Sequence, residues 1–152
     1  MVLVCIPALV SEIGFRLSHK SQKIESLVAP LRGRDLDAHY LAFFECFNQQ
    51  RFFEAHEVLE VLWLPQRHGP NGPFYQGLIQ LAGAFVHLQR ERPTPAATLL
   101  KRAQANLAPY PATHERLDTL RVLDLITEWL RKLESSGGAN PLRQGAAPEL
   151  RL

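Results

Sequence analysis

A chain of 152 residues with 46% hydrophobic content can bury one independent core but is short for two. Lysine and arginine number 17 against 15 acidic residues, and they are scattered, which leaves no basic footprint for nucleic acid. Cys5 and Cys46 are the only cysteines and sit outside any CxxC or histidine-spaced pattern, so neither a disulfide framework nor a structural zinc site is expected and a reducing cytoplasm fits best.

The apolar start from Met1 to Val10 lacks the basic flank of a signal peptide and is interrupted by Ser11 and Glu12, so secretion is not expected. Residues 1–34, broken by Pro7, Gly14, Pro30 and Gly33, read as an N-terminal extension with one short helix over 21–28. The domain proper is expected to begin near Asp35. There Leu36, Tyr40, Phe43, Phe44 and Phe47 recur at helical spacing up to a turn at Asn48-Gln49-Gln50-Arg51. A second helix runs over about residues 52–64 and is stopped by Pro65, Gly69, Pro70 and Gly72. A third starts at Pro73 and continues to about Arg90. Its stretch from Phe74 to Leu88 has no charged residue, but it is too short and too rich in Gln76, Gln80 and His87 to span a bilayer, so it reads as a core helix. A fourth helix follows from Pro95 to Leu107. A fifth is capped by Thr113 and carries an apolar stripe of Leu117, Leu120, Leu123, Ile126, Leu130 and Leu133. Beyond Glu134 the composition thins to Ser, Gly, Ala and Pro, and residues 135–152 read as a disordered tail. No strand-like alternation persists, so the expected fold is all-α, a bundle of about five helices in antiparallel pairs over residues 35–134.

The second helix carries His56, Glu57 and Glu60 inside the apolar run from Phe53 to Trp63, where unpartnered polar groups are costly. Spacings of three and four residues bring the three onto about one third of the helix circumference. The third helix carries a narrow stripe of Gln76, Gln80, Gly83 and His87. Solvent faces ordinarily draw on lysine and glutamate, so this stripe suits an inward cleft. If the two stripes face each other, His56 and Glu60 can grip one ion from one helix, and His87 and Glu57 can complete a mixed nitrogen and oxygen set for zinc, iron, manganese or nickel. The plainer arrangement is a buried hydrogen-bonded network that fixes helix register and binds nothing. His56-Glu57-Val58-Leu59-Glu60 is a zinc-protease HExxH pattern with glutamate in place of the second histidine, and without that imidazole peptidase activity is not expected. Gly77 and Gly83 each lower helix propensity by about 1 kcal/mol, which points to close helix approach.

The run from Phe47-Asn48 through Phe52-Phe53-Glu54-Ala55-His56-Glu57-Val58-Leu59-Glu60 and Trp63, then Phe74-Tyr75-Gln76-Gly77-Leu78-Ile79-Gln80-Leu81-Ala82 and His87, resembles domain of unknown function 309, over about residues 37–110. The resemblance implies a small multihelical fold and an HxxxExxW motif suggested to bind metal, filled here by His56, Glu60 and Trp63. Two readings follow. One is a cytoplasmic helical domain with a metal or small-molecule site at His56, Glu57, Glu60 and His87, in a cleft lined by Trp63, Tyr75, Gln76 and Gln80, and able to activate water if a metal is held. The other is a helical protein-interaction module whose polar stripe is structural, although no repeat of fixed period supports it. Neither nucleic acid nor membrane is an expected partner.

Overall fold

The computed structural model describes residues 18–152, so the apolar start and the rest of residues 1–17 lie outside it. The described chain is mostly helical. It runs α1 (His19–Val28), α2 (Ala38–Asn48), α3 (Phe52–Trp63), α4 (Gly72–Gln89), α5 (Pro93–Leu107), a hairpin of β1 (Thr113–His114) and β2 (Leu117–Asp118), and α6 (Thr119–Ser135). Six helices thus stand where about five were expected. The sixth is α1, the short helix expected over 21–28 in the extension, and it begins earlier, at a Ser18 cap accepting from the Ser21 amide at 3.2 Å. Its Ile24 and Val28, followed by Leu31, are buried in the common core.

Asp37 caps α2 by accepting from the His39 amide at 2.8 Å. Between α2 and α3 the chain reverses through Gln50 in the left-handed region, φ 60°, with Arg51 N–H returning to the Cys46 carbonyl at 2.8 Å. Gln89 at the end of α4 donates through Nε2 to the Gln50 carbonyl at 2.9 Å, which sets α4 antiparallel to α3. Aromatic side chains then fill the centre. Phe52 stacks on Phe85 with centroids 5.0 Å apart, Phe47 meets Phe85 edge-on at 5.7 Å, and Trp129 of α6 reaches the same ring at 4.9 Å.

α4 packs against α3 on one flank and α5 on the other, and its uncharged sequence follows from that burial. No helix among the described residues is long and apolar enough to cross a membrane. On the α5 flank the backbones come close, because a Cβ on Gly77 would lie 2.8 Å from Cγ of the buried Leu107.

Thr113, expected to cap the last helix, lies instead in β1, and Asp118 caps α6 by accepting from the Arg121 amide at 3.0 Å. The two hairpin residues Glu115 and Arg116 both have positive φ, 48° and 61°. That is the conformation of a type I′ turn without its usual asparagine or glycine. Two contacts hold it: Tyr40 donates to the Glu115 carbonyl at 3.0 Å, and Asn71 Nδ2 donates to Glu115 Oε1 at 3.0 Å. Residues 135–152 also depart from the disordered tail expected. Asn140 donates to the Leu88 carbonyl, Arg143 pairs with Glu91, and Leu150 is buried beside Asn48. The composition of this segment is sparse, but a few anchors suffice to dock it.

The two close-approach glycines should respond oppositely to alanine. Gly77→Ala should lower stability by about 1–2 kcal/mol, since overpacking against Leu107 outweighs the gain in helix propensity. At Gly83 the added methyl meets only Cδ1 of the half-buried Leu99 at 3.2 Å, so Gly83→Ala should be neutral or stabilising by up to about 1 kcal/mol. Urea unfolding of both variants measures the difference.

Candidate functional site

α3 starts without a side-chain cap, but Glu54 in its first turn complements the helix dipole. Glu54 is met by Lys23 at 2.9 Å and Arg51 at 3.7 Å. Burial pushes its carboxyl up, and the Lys23 ammonium and Arg51 outweigh that and hold it below the usual range. One turn on, the same partnership repeats. Lys20 Nζ lies 3.1 Å from Glu57 Oε1 and 3.9 Å from Glu60 Oε2. Glu57 is only 7% exposed, so a carboxylate on α3 is buried against an ammonium supplied by α1. These lysines are the residues that sequence reasoning missed. Their signal was the i, i+3 spacing of Lys20 and Lys23 on a helix that also carries Ile24 and Val28.

His56, Glu60 and Trp63 do share one side of α3, and all three are half-buried. The His56 ring stacks on Phe53 at 6.2 Å with an interplanar angle of 23°, and the Arg90 guanidinium lies over the other ring at 5.9 Å from its centroid. His56 Nδ1 and Trp63 Nε1 are buried without a hydrogen-bond partner, and so is Nδ1 of His87 near the end of α4. Burial, reinforced by Arg92 and Arg90, keeps the His87 imidazole below its ordinary value and so neutral.

The expected second wall of the cleft is not assembled as the spacing suggested. Gln80 Oε1 accepts from Asn106 Nδ2 at 2.8 Å, and Gly83 lies against Leu99, so these members of the α4 stripe face α5 and not α3. Tyr75 is buried in an aromatic cluster with Tyr40 at 5.9 Å and Phe74 at 5.5 Å. Burial, with the nearby Glu115 carboxylate, raises its phenol. Gln76 stays half-buried on α4. Among the described residues no three histidine, cysteine, aspartate or glutamate side chains come together in a group that could hold a metal ion. The carboxylates of Glu57 and Glu60 are both turned to Lys20.

A second polar cluster occupies the opposite end of the bundle. His114 Nε2 and Asn71 Oδ1 are 2.8 Å apart, and because Asn71 Nδ2 is committed to Glu115, the imidazole is the donor. Tyr110 accepts from the Phe74 amide at 3.1 Å and donates to the Pro70 carbonyl at 2.7 Å. These bonds are reciprocally satisfied and fasten the hairpin to the start of α4. A cavity of about 630 Å³ lies elsewhere again, between α6 and residues 149–152. Its position is remote in sequence from the His56 stripe, and its volume is no guide to that chemistry.

Against known proteins, residues 40–99 match the family model described as Domain of unknown function (DUF309). No curated protein and no solved structure matches the chain. The matched segment covers α3, nearly all of α2, α4 and the first half of α5, so it includes His56, Glu60, Trp63 and His87 and excludes Lys20, His114 and residues 135–152.

Two outcomes are expected at this site. Lys20→Met should lower stability by about 1 kcal/mol, discounted for the exposure of the lysine, and Glu57→Gln in the same chain should recover most of the loss in a double-mutant cycle. For His87, the folded value lies below the ordinary 6.5, so the unfolded chain takes up the proton first and stability falls as pH drops below that value. Replacing it, as in His87→Gln, should flatten the stability curve between about pH 7 and 5 and leave it unchanged above. Denaturation midpoints across that range are the readout.

Proposed function

Through residues 40–99 the chain belongs to the DUF309 family, and from that premise we propose that it is a small-molecule-binding helical domain whose site lies at His56, Glu60, Trp63 and His87. One observation supports the reading: nitrogens of His56, Trp63 and His87 are buried without a hydrogen-bond partner. An unpaired buried polar atom costs on the order of 1–3 kcal/mol, and three of them on two neighbouring helices are a cost that stability alone gives no reason to keep. Indole N–H can only donate, while each imidazole Nδ1 donates or accepts according to its tautomer. A ligand with several acceptor oxygens spread over about two helical turns answers them, since His56 and Trp63 stand about 10 Å apart along α3. Glu60, on the same stripe between His56 and Trp63, faces Lys20 at 3.9 Å, so the ion pair and not a free carboxylate borders the site.

A divalent transition metal is the less supported occupant. Its expected carboxylates are already neutralised by Lys20, and an indole nitrogen is not a metal ligand. If a metal were held, it would supply a polarised water; His56 and His87 would be the residues to hold it.

Nitrogen-edited NMR of the untagged, chelator-treated chain tests the reading. Acetate and inorganic phosphate serve as minimal acceptor ligands, and zinc is titrated in parallel. The Trp63 indole N–H resonance should shift saturably with acetate or phosphate, and His56→Ala should weaken that response at least about tenfold, the effect of losing about 1.4 kcal/mol. Stoichiometric zinc uptake abolished by both His56→Ala and Glu60→Ala, with no response to either anion, would replace the reading with a metal centre.

A further inference from the structure

Asn71 and Gly72 stand at the start of α4, and separate constraints fix each of them. Asn71 is the N-cap residue of the helix, yet its side chain makes no capping bond. The Phe74 N–H that such a side chain would take donates instead to the Tyr110 hydroxyl at 3.1 Å. Both halves of the Asn71 amide go to the hairpin: Oδ1 accepts from His114 Nε2 at 2.8 Å, and Nδ2 donates to Glu115 Oε1 at 3.0 Å. Gly72 meets a different constraint. A Cβ there would lie 2.2 Å from the Arg67 carbonyl oxygen and 2.7 Å from its carbon, main-chain atoms that cannot swing aside as a side-chain tip can.

The two constraints together set a side-chain amide beside glycine, the residue whose backbone nitrogen no side chain shields. In an unstructured chain that pair reacts readily, and asparagine is thermally labile for this reason. The Gly72 nitrogen attacks Cγ of Asn71, a new C–N bond closes a five-membered succinimide ring, and the side-chain nitrogen leaves as ammonia with the proton of the Gly72 N–H. Water then opens the ring at one of its two carbonyls, giving aspartate or, with the main chain rerouted through the side chain, isoaspartate. Water is the only co-reactant.

In the folded chain each participant is held back. The Asn71 amide is engaged at both ends, and the Gly72 N–H donates to the Gly69 carbonyl at 3.0 Å. Ring closure waits until these bonds break, and two of them depend on the hairpin. Glu115 and Arg116 hold positive φ there, and the Tyr40 bond to the Glu115 carbonyl keeps the turn in place. We infer that Asn71-Gly72 is a self-modification site gated by the hairpin: opening of the clasp between Tyr40, Asn71 and Glu115 admits succinimide formation, and the resulting acid releases the clasp. An acid at position 71 has no N–H to offer Glu115 and sets a second carboxylate against it. The rate follows the population of the open hairpin when opening and closing are fast relative to ring closure.

The test incubates the full chain in mildly alkaline heavy-oxygen water beside a synthetic peptide of residues 67–74, and peptide mass mapping follows position 71. The peptide should convert, and the folded chain should convert at least about tenfold more slowly. Tyr40→Phe keeps the buried ring and loses only the bond to Glu115; Glu115→Ala strips Nδ2 of its acceptor. Each should speed conversion at least about threefold. Circular dichroism shows which variants are folded, and one folded variant suffices. Asn71→Asp, standing for the product, should speed amide exchange at Thr119, whose N–H donates to the Ala112 carbonyl across the base of the hairpin at 2.9 Å. Exchange at Phe85 in the core should not change. A peptide that stays intact, a folded chain that converts as fast as the peptide, folded variants no faster than the unaltered chain, or unchanged Thr119 exchange in Asn71→Asp overturns the proposal.

Discussion

Between Phe74 and Leu88 α4 has no charged side chain, and a helix of that composition is stable in water only if most of its circumference is covered. α3 covers one flank and α5 the other, with Phe47, Phe52 and Trp129 converging on Phe85 between them. Gly77 removes the side chain that would hold α5 away. With its two flanks committed in this way, the polar positions of α4 are drawn to different neighbours: Gln80 to Asn106 of α5, Tyr75 to Tyr40 of α2. The site on α3 is shaped by what that packing leaves over.

Left over is the edge of α3 bearing His56, Glu60 and Trp63, and α1 reaches its acidic side. Lys20 and Lys23 are the ion-pair partners of Glu57 and Glu54, and a buried carboxylate needs a partner within a few ångströms. The histidine and tryptophan nitrogens receive no such partner. This contrast within a single helix separates the part of the stripe that the protein satisfies by itself from the part open to a ligand.

Much of this was legible in the sequence, for identifiable reasons. α2 to α5 announce themselves by apolar periodicity and by proline and glycine at their ends, and α6 by its stripe from Leu120 to Leu133. The short helix expected over 21–28 is α1, but its place in the common core was not foreseen, because its few apolar residues, Ile24 and Val28, sit among Lys20, Lys23 and Glu25. The hairpin was passed over because Glu115-Arg116 carries no asparagine or glycine to mark a type I′ turn. Pro148-x-Leu150 is too short an alternation to register as an ordered segment. Periodicity placed His56, Glu60 and Trp63 on one side of a helix correctly, and it grouped Gln80 with His87 on α4. It says which residues share a face but not which neighbour that face meets, so Gln80 turned to Asn106 and not to His56, and the spacing of Lys20 and Lys23 did not reveal that their partners lie on α3.

The order of the contacts along the chain has a kinetic consequence. Each helix from α2 to α6 packs chiefly on its neighbour in sequence, so the body can assemble by short loop closures with small entropic cost. Three contacts stand apart from that pattern: Tyr40 to Glu115 spans 75 residues, Asp35 to Arg116 spans 81, and Asn48 to Leu150 spans 102. Contacts of such separation form after the local ones and are the first to open in native fluctuations. The hairpin clasp and the docked segment are thus the late-closing seals of a quickly formed bundle, and both draw on α2, whose Tyr40 and Asn48 hold them from opposite ends of the helix.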